Sequence, residues 1–352
     1  MSNNSGNIFG RRLRQARQMK GLSMEELGNA VTPAVTRQAI NKYEKGQTMP
    51  DSRMLLAFGN ALDVKPDYFY RPFTVEVDRV MFRKGTKYSE KKSAAIRERV
   101  REELERYLEA EQLCGTKTSF TLQTRDIASQ EDVCIYANEV RSMMMLGSDG
   151  ISNVTEVLED NGIKIIEVCE DEAFEGLSGF ANDNIPVIVV NNNFKAESKR
   201  FTLLYELGHL LMKFDDKLPL RELENLCNIF ASEFLLPSSV LLTRLGNKRH
   251  DISLAELSDI QKQFGISIDS IMAVLRRLDV ITDRRYNGYL KKKRCFPDFK
   301  SIVERSLAIP ETSGRFVRMV YRALADEVIS FSKAAALLNK SVESVKRQLQ
   351  LV

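Results

Sequence analysis

Apolar residues in the first 70 positions recur at intervals of three and four, which is the spacing of one face of an α-helix. This pattern predicts five short helices between residues 8 and 70. Ser23 and Glu26 have the spacing of a capping box, which predicts the start of the second helix. Gly21 and Gly46 predict the ends of the first and third helices, because glycine readily adopts the left-handed conformation found at helix ends.

Residues 73–115 follow a different pattern. A weak alternation from Val75 to Phe82 predicts a strand, and a densely charged stretch predicts one long amphipathic helix over residues 91–113. The apolar residues of that helix recur every four positions: Ile96, Val100, Leu104 and Leu108. This apolar stripe is equally suited to pairing between two subunits and to packing on the domain that follows.

The rest of the chain mixes both periodicities at first and then becomes helical. The predicted strands are 164–168 and 187–191, and the predicted helices up to residue 290 include 131–145, 153–160, 198–212 and 220–236. The predicted fold class is therefore α+β and mostly helical. The chain is predicted to have four segments: residues 8–72, 73–115, 116–290 and 291–352.

Composition excludes several classes of protein. The chain is 43% hydrophobic and 28% charged, as expected of a globular protein. No stretch reaches the roughly 18 consecutive apolar residues of a membrane helix, and Met1 to Gly10 lacks the apolar core of a signal peptide. The five scattered cysteines fit a reducing compartment better than a disulfide framework. We therefore expect a cytoplasmic protein that does not contact a membrane.

Basic residues are concentrated near the N-terminus. Residues 1–72 contain 11 basic and 6 acidic side chains, a net charge of +5, whereas the whole chain carries +4. The remaining residues therefore carry a net charge of −1. Such an excess in one helical segment is typical of contact with nucleic-acid phosphates, and a merely solvated basic face is the alternative.

The third predicted helix, which runs from about Thr36 to Lys45, carries side chains suited to base recognition. Its residues Ile40 and Tyr43 can face the core, which places the polar side chains largely on the other face. Arginine suits guanine, and glutamine or asparagine suits adenine. The free amides at the start of the helix can also hold a phosphate. The predicted DNA-binding residues are Thr36, Arg37, Gln38, Asn41, Lys42 and Lys45.

A wider pattern surrounds this helix and comprises Leu22, Ser23, Leu27, Val35, Thr36, Arg37, Ile40, Tyr43, Glu44, Gly46 and Pro50. It resembles the Cro/C1-type helix-turn-helix of the XRE family over about 60 residues. The resemblance implies a five-helix, lambda-repressor-like domain that binds a double-stranded DNA operator in the nucleoid, usually as a homodimer. The turn from Ala30 to Ala34 departs from the family pattern because it has no glycine.

A second constellation is Tyr205-Glu206-Leu207-Gly208-His209. In an H-E-x-x-H motif, two histidines four apart on one helix face bind zinc, and the glutamate between them polarises the metal-bound water. Here Glu206 keeps the general-base position and His209 keeps the second ligand position. Tyr205 stands at the first ligand position.

Residues 125–290 resemble the ImmA/IrrE family of metallopeptidase-like proteins, which has a zincin-like α/β fold. The matching segments are Leu158–Ile165, Gly176–Phe180, Ile188–Asn191, Arg200–Leu203 and Asn228–Pro237. Active members cleave a repressor or a related protein with zinc held by two histidines and a glutamate. The resemblance implies Glu224 as that glutamate, in a run where Cys227 replaces the usual alanine. The helical tail around Ile329 to Leu338 resembles that of longer, repressor-fused members.

The donor set predicts a degenerate site. A catalytic zinc site usually has three protein donors and a water, and tyrosine ligates well only as a phenolate, whose free pKa is about 10. His209 and Glu224 are then two retained ligand positions, and no zinc or other cofactor is expected. Tyr205, Glu206 and His209 would be catalytic remnants, joined with Glu224 in a polar cluster.

These observations predict a sequence-specific transcriptional regulator, most simply a repressor, with a pseudo-metallopeptidase regulatory domain. A small molecule, peptide or protein effector would bind in the former catalytic cleft. One alternative is a zinc metallopeptidase with unusual ligands that cleaves a repressor. The other is an antitoxin-type DNA-binding protein that masks a partner toxin.

Overall fold

A computed structural model describes residues 2–76, 79–81, 89–116, 118–182, 184–307 and 311–349. The chain forms two compact units. Unit 1 comprises residues 1–112 with 181–183, and unit 2 comprises residues 113–180 with 184–352.

Unit 1 begins with the five predicted helices, and the structure confirms them. They are α1 (Ser2–Met19), α2 (Met24–Ala30), α3 (Arg37–Glu44), α4 (Ser52–Leu62) and a 3-10 turn (Pro66–Tyr70). The Ser23–Glu26 capping box is formed at the start of α2. Gly21 and Gly46 both have φ near +66°, as helix-ending glycines require. The helices enclose a core that includes Phe9, Leu13, Leu27, Ile40, Phe58 and Phe69.

The strand and the long helix predicted for residues 73–115 are both present. The strand β1 is Arg79–Met81, and residues 77, 78 and 82 of its predicted span lie outside the described residues. The helix α5 spans Glu90–Cys114. Ile96, Val100 and Leu104 of its apolar stripe are buried within one chain, and Leu108 is half-buried. Most of this stripe is therefore not available for pairing between subunits.

Helix α5 is tied by ion pairs to the helices before it. The buried Arg12 of α1 lies 2.8 Å from Glu105, and Arg71 lies 3.1 Å from Glu102. A buried guanidinium needs such a partner because an unpaired charge is costly to remove from water. Residues 90–112 of the helix therefore belong with the N-terminal helices in unit 1.

Unit 2 contains a sheet of order β4-β5-β3. The strand β3 (Lys164–Val168) pairs in parallel with β5 (Ile185–Asn191), and Ile166 is opposite Val189. The strand β4 (Gly176–Ala181) was not predicted, since Gly176, Ser178 and Gly179 are weak strand formers. A separate parallel pair is formed by β2 (Arg125–Asp126) and β6 (Met212–Lys213).

The helices of unit 2 surround this sheet. They are α6 (Gln130–Met143), α7 (Val154–Asp160), α8 (Ala196–Leu211), α9 (Leu220–Leu235), α10 (Ser238–Leu245), α11 (Leu254–Phe264) and α12 (Ile268–Arg277). Helix α8 is central, since it packs on β5, α7 and α9 and most of its residues are buried. A helix buried on all sides holds its side chains in fixed positions, which is what a catalytic or binding centre requires.

The C-terminal segment is helical, as predicted. It contains α13 (Asp283–Cys295), α14 (Pro297–Val303), α15 (Arg315–Ala325), α16 (Phe331–Leu337) and α17 (Val342–Gln348). The predicted boundary between residues 290 and 291 lies inside α13. The helix is continuous there because Tyr289 and Lys293 both contact Asp269 of α12, each at 2.6 Å.

A buried carboxylate joins this segment to the rest of unit 2. Glu311 accepts hydrogen bonds from the Thr155 amide at 2.7 Å and from Arg200 at 2.9 Å. Both members of the Arg200–Glu311 pair are at most 1% exposed.

No single helix among the described residues is long and apolar enough to cross a membrane. The bent pair α9 and α10 passes that test by length and composition only.

Candidate nucleic-acid interface and candidate metal centre

Helix α3 presents the predicted DNA-binding residues on its outer face. Ile40 is buried in the core of unit 1, whereas Thr36, Arg37, Gln38, Lys42 and Lys45 are exposed and Asn41 is half-buried. The Thr36 hydroxyl accepts a hydrogen bond from the Ala39 amide at 3.2 Å and so caps the helix. This cap fixes the start of the helix, from which the first outward side chains project.

Three contacts fix the orientation of α3. Arg17 of α1 donates two hydrogen bonds to the Glu44 carboxylate, and Tyr43 packs edge-on against Phe58 at 5.6 Å between ring centroids. At Gly10 of α1, an added Cβ would lie 2.5 Å from the Glu44 carbonyl oxygen. The helix is therefore held at its C-terminal end by charge, by an aromatic contact and by a close backbone approach.

The junction of α2 and α3 depends on a glycine in α2 rather than in the turn. The Val35 amide donates to the Gly28 carbonyl at 3.0 Å, and a Cβ at Gly28 would lie 2.3 Å from the Val35 oxygen. The turn itself contains a cis peptide bond between Thr32 and Pro33. No role was predicted for Gly10 or Gly28, although a glycine inside a predicted helix is the signal for such a contact.

The three residues predicted to be catalytic remnants lie on α8. The rings of Tyr205 and His209 are in edge-on contact, with centroids 4.8 Å apart, so the two residues share one face as their spacing predicts. Tyr205 and Glu206 are buried, and His209 is half-buried. Of these three residues, His209 is the most accessible to solvent.

Glu206 has a partner that sequence analysis did not identify. The Ser178 hydroxyl of β4 donates to the Glu206 carboxylate at 2.8 Å. The strand can approach α8 closely because Gly176 has no side chain: a Cβ there would lie 2.7 Å from the Thr202 methyl. Ser178 occurs within the family-like run Gly176–Phe180, which is the only signal the sequence offers for it.

Glu224, the other retained ligand position in the prediction, is half-buried on α9, the helix that packs on α8. Across the described residues, no three His, Cys, Asp or Glu side chains are arranged so that they could hold a metal ion. The donor set thus does not fit a zinc site of the three-donor type, and no hydrolytic step can be derived through a metal here.

An open cavity of about 650 Å³ in unit 2 is lined by residues of α8, α9 and α12, and Tyr205, Glu206, His209 and Glu224 are not among its lining residues. Phe201, one helical turn before Tyr205, lines it together with Asn225, Asn228 and Ser232 of α9 and Arg277 of α12. Its volume is within the range of small-molecule sites. The lining also includes the charged side chains of Arg276, Asp279 and Asp283, so the cavity suits a polar or charged ligand.

Comparisons with known proteins match both regions. A helix-turn-helix family model matches residues 13–69, and an IrrE N-terminal-like domain model matches residues 159–276. The uncharacterized HTH-type transcriptional regulator y4aM of Sinorhizobium fredii is 41% identical over 17% of this chain and 41% of its own length. The SPbeta prophage-derived uncharacterized HTH-type transcriptional regulator YonR of Bacillus subtilis is 32% identical over 20% of this chain and 64% of its own length.

The chain thus spans about two fifths to two thirds of the curated relatives it matches. A Mycobacterium tuberculosis transcriptional regulator of known structure has a TM-score of 0.32 at 14% identity, over 49% of this chain and 51% of that chain. A score this low supports no conclusion about fold or function. The two family models cover the segments that contain α3 and α8, and the chain carries an XRE-type helix-turn-helix domain at its N-terminus followed by an IrrE N-terminal-like domain of the ImmA/IrrE type.

Proposed function

We propose that this protein is a sequence-specific, DNA-binding transcriptional regulator that acts as a repressor. The observation that carries the proposal is helix α3, which is capped by Thr36 and held by Arg17 and turns Arg37 and Gln38 outward. A helix presented in this way can enter a major groove and read base edges. The matched relatives, which are named transcriptional regulators, support the same function.

The double variant Arg37→Ala, Gln38→Ala tests this assignment. We expect loss of operator binding in a gel-shift assay, because each good base contact contributes about 1–3 kcal/mol of discrimination. The matched control is Lys65→Ala with Asn60→Ala, which removes the same charge and a similar amide at exposed positions. Unchanged operator affinity in the α3 variant would refute the assignment of the reading helix.

We also propose that two copies of the chain bind a palindromic operator. Members of the XRE family usually do so, and half-sites would then be about one helical turn apart. Analytical ultracentrifugation with an operator duplex tests this, since one protein per duplex would contradict it. If each complex neutralises about five phosphates, the logarithm of affinity should fall against the logarithm of salt with a slope near −4.5.

The IrrE N-terminal-like domain is proposed to regulate DNA binding without catalysis. Support comes from Tyr205 at the first ligand position and from the position of Glu224, which joins no metal-type cluster among the described residues. Elemental analysis of the purified protein is the test. Stoichiometric zinc, together with self-cleavage that is lost in Glu206→Gln, would establish the peptidase instead.

The cavity beside α8 and α9 is the proposed effector site. Its lining of Asn225, Asn228 and Ser232 offers hydrogen bonds, while Phe201 offers an apolar wall. Ser232→Phe would partly fill the cavity, and we expect it to abolish release of the operator by the effector while leaving operator affinity unchanged. Native mass spectrometry of the purified protein would detect a small molecule that co-purifies in the cavity.

A further inference from the structure

The last three helices form a small helical unit with its own core. Val320 of α15, Ala335 and Leu337 of α16, and Val345 of α17 are all at most 2% exposed. Helix α15 packs on α16, and α16 packs on α17. None of the functions proposed above uses this unit.

Helices α16 and α17 are joined by a tight turn. The turn, Leu338 to Ser341, places Asn339 at φ +50°, and the Ser341 hydroxyl caps α17 by accepting from the Ser344 amide at 3.1 Å. A pair of short helices that pack on each other and are joined by a turn of three or four residues is the arrangement found in a helix-turn-helix. In the same chain, the N-terminal pair likewise begins with a seven-residue helix, α2, and has a side-chain cap, Thr36, on its second helix.

Helix α17 has one apolar face and one polar face. Val345 is buried and Val342 is half-buried, while Glu343, Lys346 and Arg347 are exposed. Two hydrogen bonds to the Gln348 side chain fix the helix, one from Tyr321 of α15 at 2.6 Å and one from Lys340 of the turn at 3.0 Å. The outward side chains are thus presented on a supported helix.

The charge of this pair is positive. Residues 331–349 contain the basic residues Lys333, Lys340, Lys346 and Arg347 and one acidic residue, Glu343, which gives a net charge of +3. The arginines of α15 have a different role: Arg315 pairs with Asp160 and Arg318 pairs with Glu156, both in unit 2. The basic charge of α15 therefore helps to hold the unit in place, while the charge around α17 is exposed.

We propose that α16 and α17 form a second DNA-contacting helix-turn-helix, in which α17 lies in the major groove of duplex DNA and Lys340, Lys346 and Arg347 contact phosphates. Exposed lysine and arginine on a supported helix meet the requirement for backbone contacts, and a two-helix geometry of this kind fits a groove. The proposal rests on this unit alone and is independent of whether α3 reads the operator.

The experiment uses the full chain with Arg37→Ala and Gln38→Ala, so that base reading by these two residues of α3 is removed. Fluorescence anisotropy with a mixed-sequence duplex at low salt then measures the remaining DNA binding. We expect such binding, and we expect Lys346→Glu with Arg347→Glu to weaken it by about tenfold or more and to reduce the salt slope by about 2. The matched control is Lys291→Glu with Arg294→Glu, the same charge change on the exposed surface of α13.

The proposal is overturned if the α17 variant binds the duplex as well as the control does. It is equally overturned if single-stranded RNA displaces the duplex at lower concentration than a competing duplex, because the site would then serve RNA. Far-ultraviolet circular dichroism confirms that the variants remain folded, and Lys346→Ala with Arg347→Ala repeats the test if charge reversal unfolds the unit. A loss of operator binding caused by Arg37→Ala and Gln38→Ala alone, with α17 unchanged, would concern the proposed reading helix α3. It would not bear on the proposal for α17.

Discussion

Glu44, the last residue of α3, accepts two hydrogen bonds from Arg17 of α1, at 2.6 Å and 3.0 Å. The two side chains are only 4% and 10% exposed. A bidentate pair of this kind fixes both distance and angle. The direction in which α3 presents its outer face is thus set by a residue of another helix.

Arg17→Ala should destabilise unit 1 by about 3 kcal/mol, because it leaves the Glu44 carboxylate buried without its cation. Operator affinity should fall as well, although Arg17 contacts no DNA in the proposed mode. Urea unfolding and gel-shift assays measure the two effects. The double variant Arg17→Leu, Glu44→Leu should recover much of the lost stability. If Arg17→Ala were as stable as the natural chain, the role of this pair would be contradicted.

Gly28→Ala should destabilise unit 1 and weaken operator binding, because its Cβ would lie 2.3 Å from the Val35 oxygen. The same substitution at Gly288 of α13, where no atom lies within 4 Å of the added Cβ, should instead stabilise unit 2 by about 1 kcal/mol. Thermal unfolding of the two variants provides the comparison. If Gly28→Ala and Gly288→Ala changed the unfolding temperature equally, the close approach of the Val35 oxygen to Gly28 would not exclude a side chain there.

Glu26 should titrate far below its usual range. The Ser23 amide, then the Ser23 hydroxyl and the Lys91 ammonium group, lower the pKa of Glu26 to about 2. Because the folded-state pKa is depressed, the stability it contributes is present above the unfolded-state pKa and is lost as pH falls towards 2. An NMR titration measures this pKa directly.

Ser23→Ala is the matched variant for that titration. It removes the hydroxyl and keeps the backbone amide, so the pKa of Glu26 should rise part of the way to its usual value. A pKa of Glu26 near 4 in the natural chain would show that the capping box does not persist in solution.

Tyr205→His should give the chain a capacity to bind zinc. It would place two imidazoles four residues apart on one face of helix α8, an arrangement that binds zinc, with water in the remaining ligand positions. Isothermal titration calorimetry with zinc is the measurement. Tyr205→Phe is the control and should bind no zinc; absence of binding in both variants would show that more than the first histidine has been lost.

Glu311→Ala should destabilise unit 2 by about 3–5 kcal/mol, since it leaves the fully buried Arg200 without a carboxylate. Arg315→Ala removes a neighbouring ion pair whose Asp160 partner is 74% exposed, and it should cost less than about 1 kcal/mol. Chemical denaturation of the two variants compares the buried pair with the exposed one. Similar losses would contradict the assigned importance of Glu311.

Local signals in the sequence predicted most of the helices, because caps and periodicity act over a few residues. The predicted starts of α2, α3 and α4 are confirmed by side-chain caps, which are formed by Ser23 with Glu26, by Thr36 and by Asp51. The exposed face of α3 followed from the burial of Ile40. The domain boundaries, the metal ligands and the DNA contacts remain predictions.

The features that the sequence did not predict depend on contacts between distant residues. Strand β4 has weak strand formers, and it is held by its neighbour β5 and by the Ser178–Glu206 hydrogen bond. Gly28 requires knowledge of where Val35 lies. The Arg200–Glu311 pair joins residues 111 positions apart, and no local pattern identifies such partners.

The position of Glu311 changes where the IrrE-like domain ends as a cooperative folding unit. A fragment ending at residue 276, the limit of the family match, would keep Arg200 in the interior and discard the carboxylate that neutralises it. Such a fragment would expose the amides of Val154 and Thr155 as well. Proteolytic nicking between α14 and α15 should therefore loosen the peptidase-like fold itself, which makes the integrity of the tail a condition for everything that the domain does.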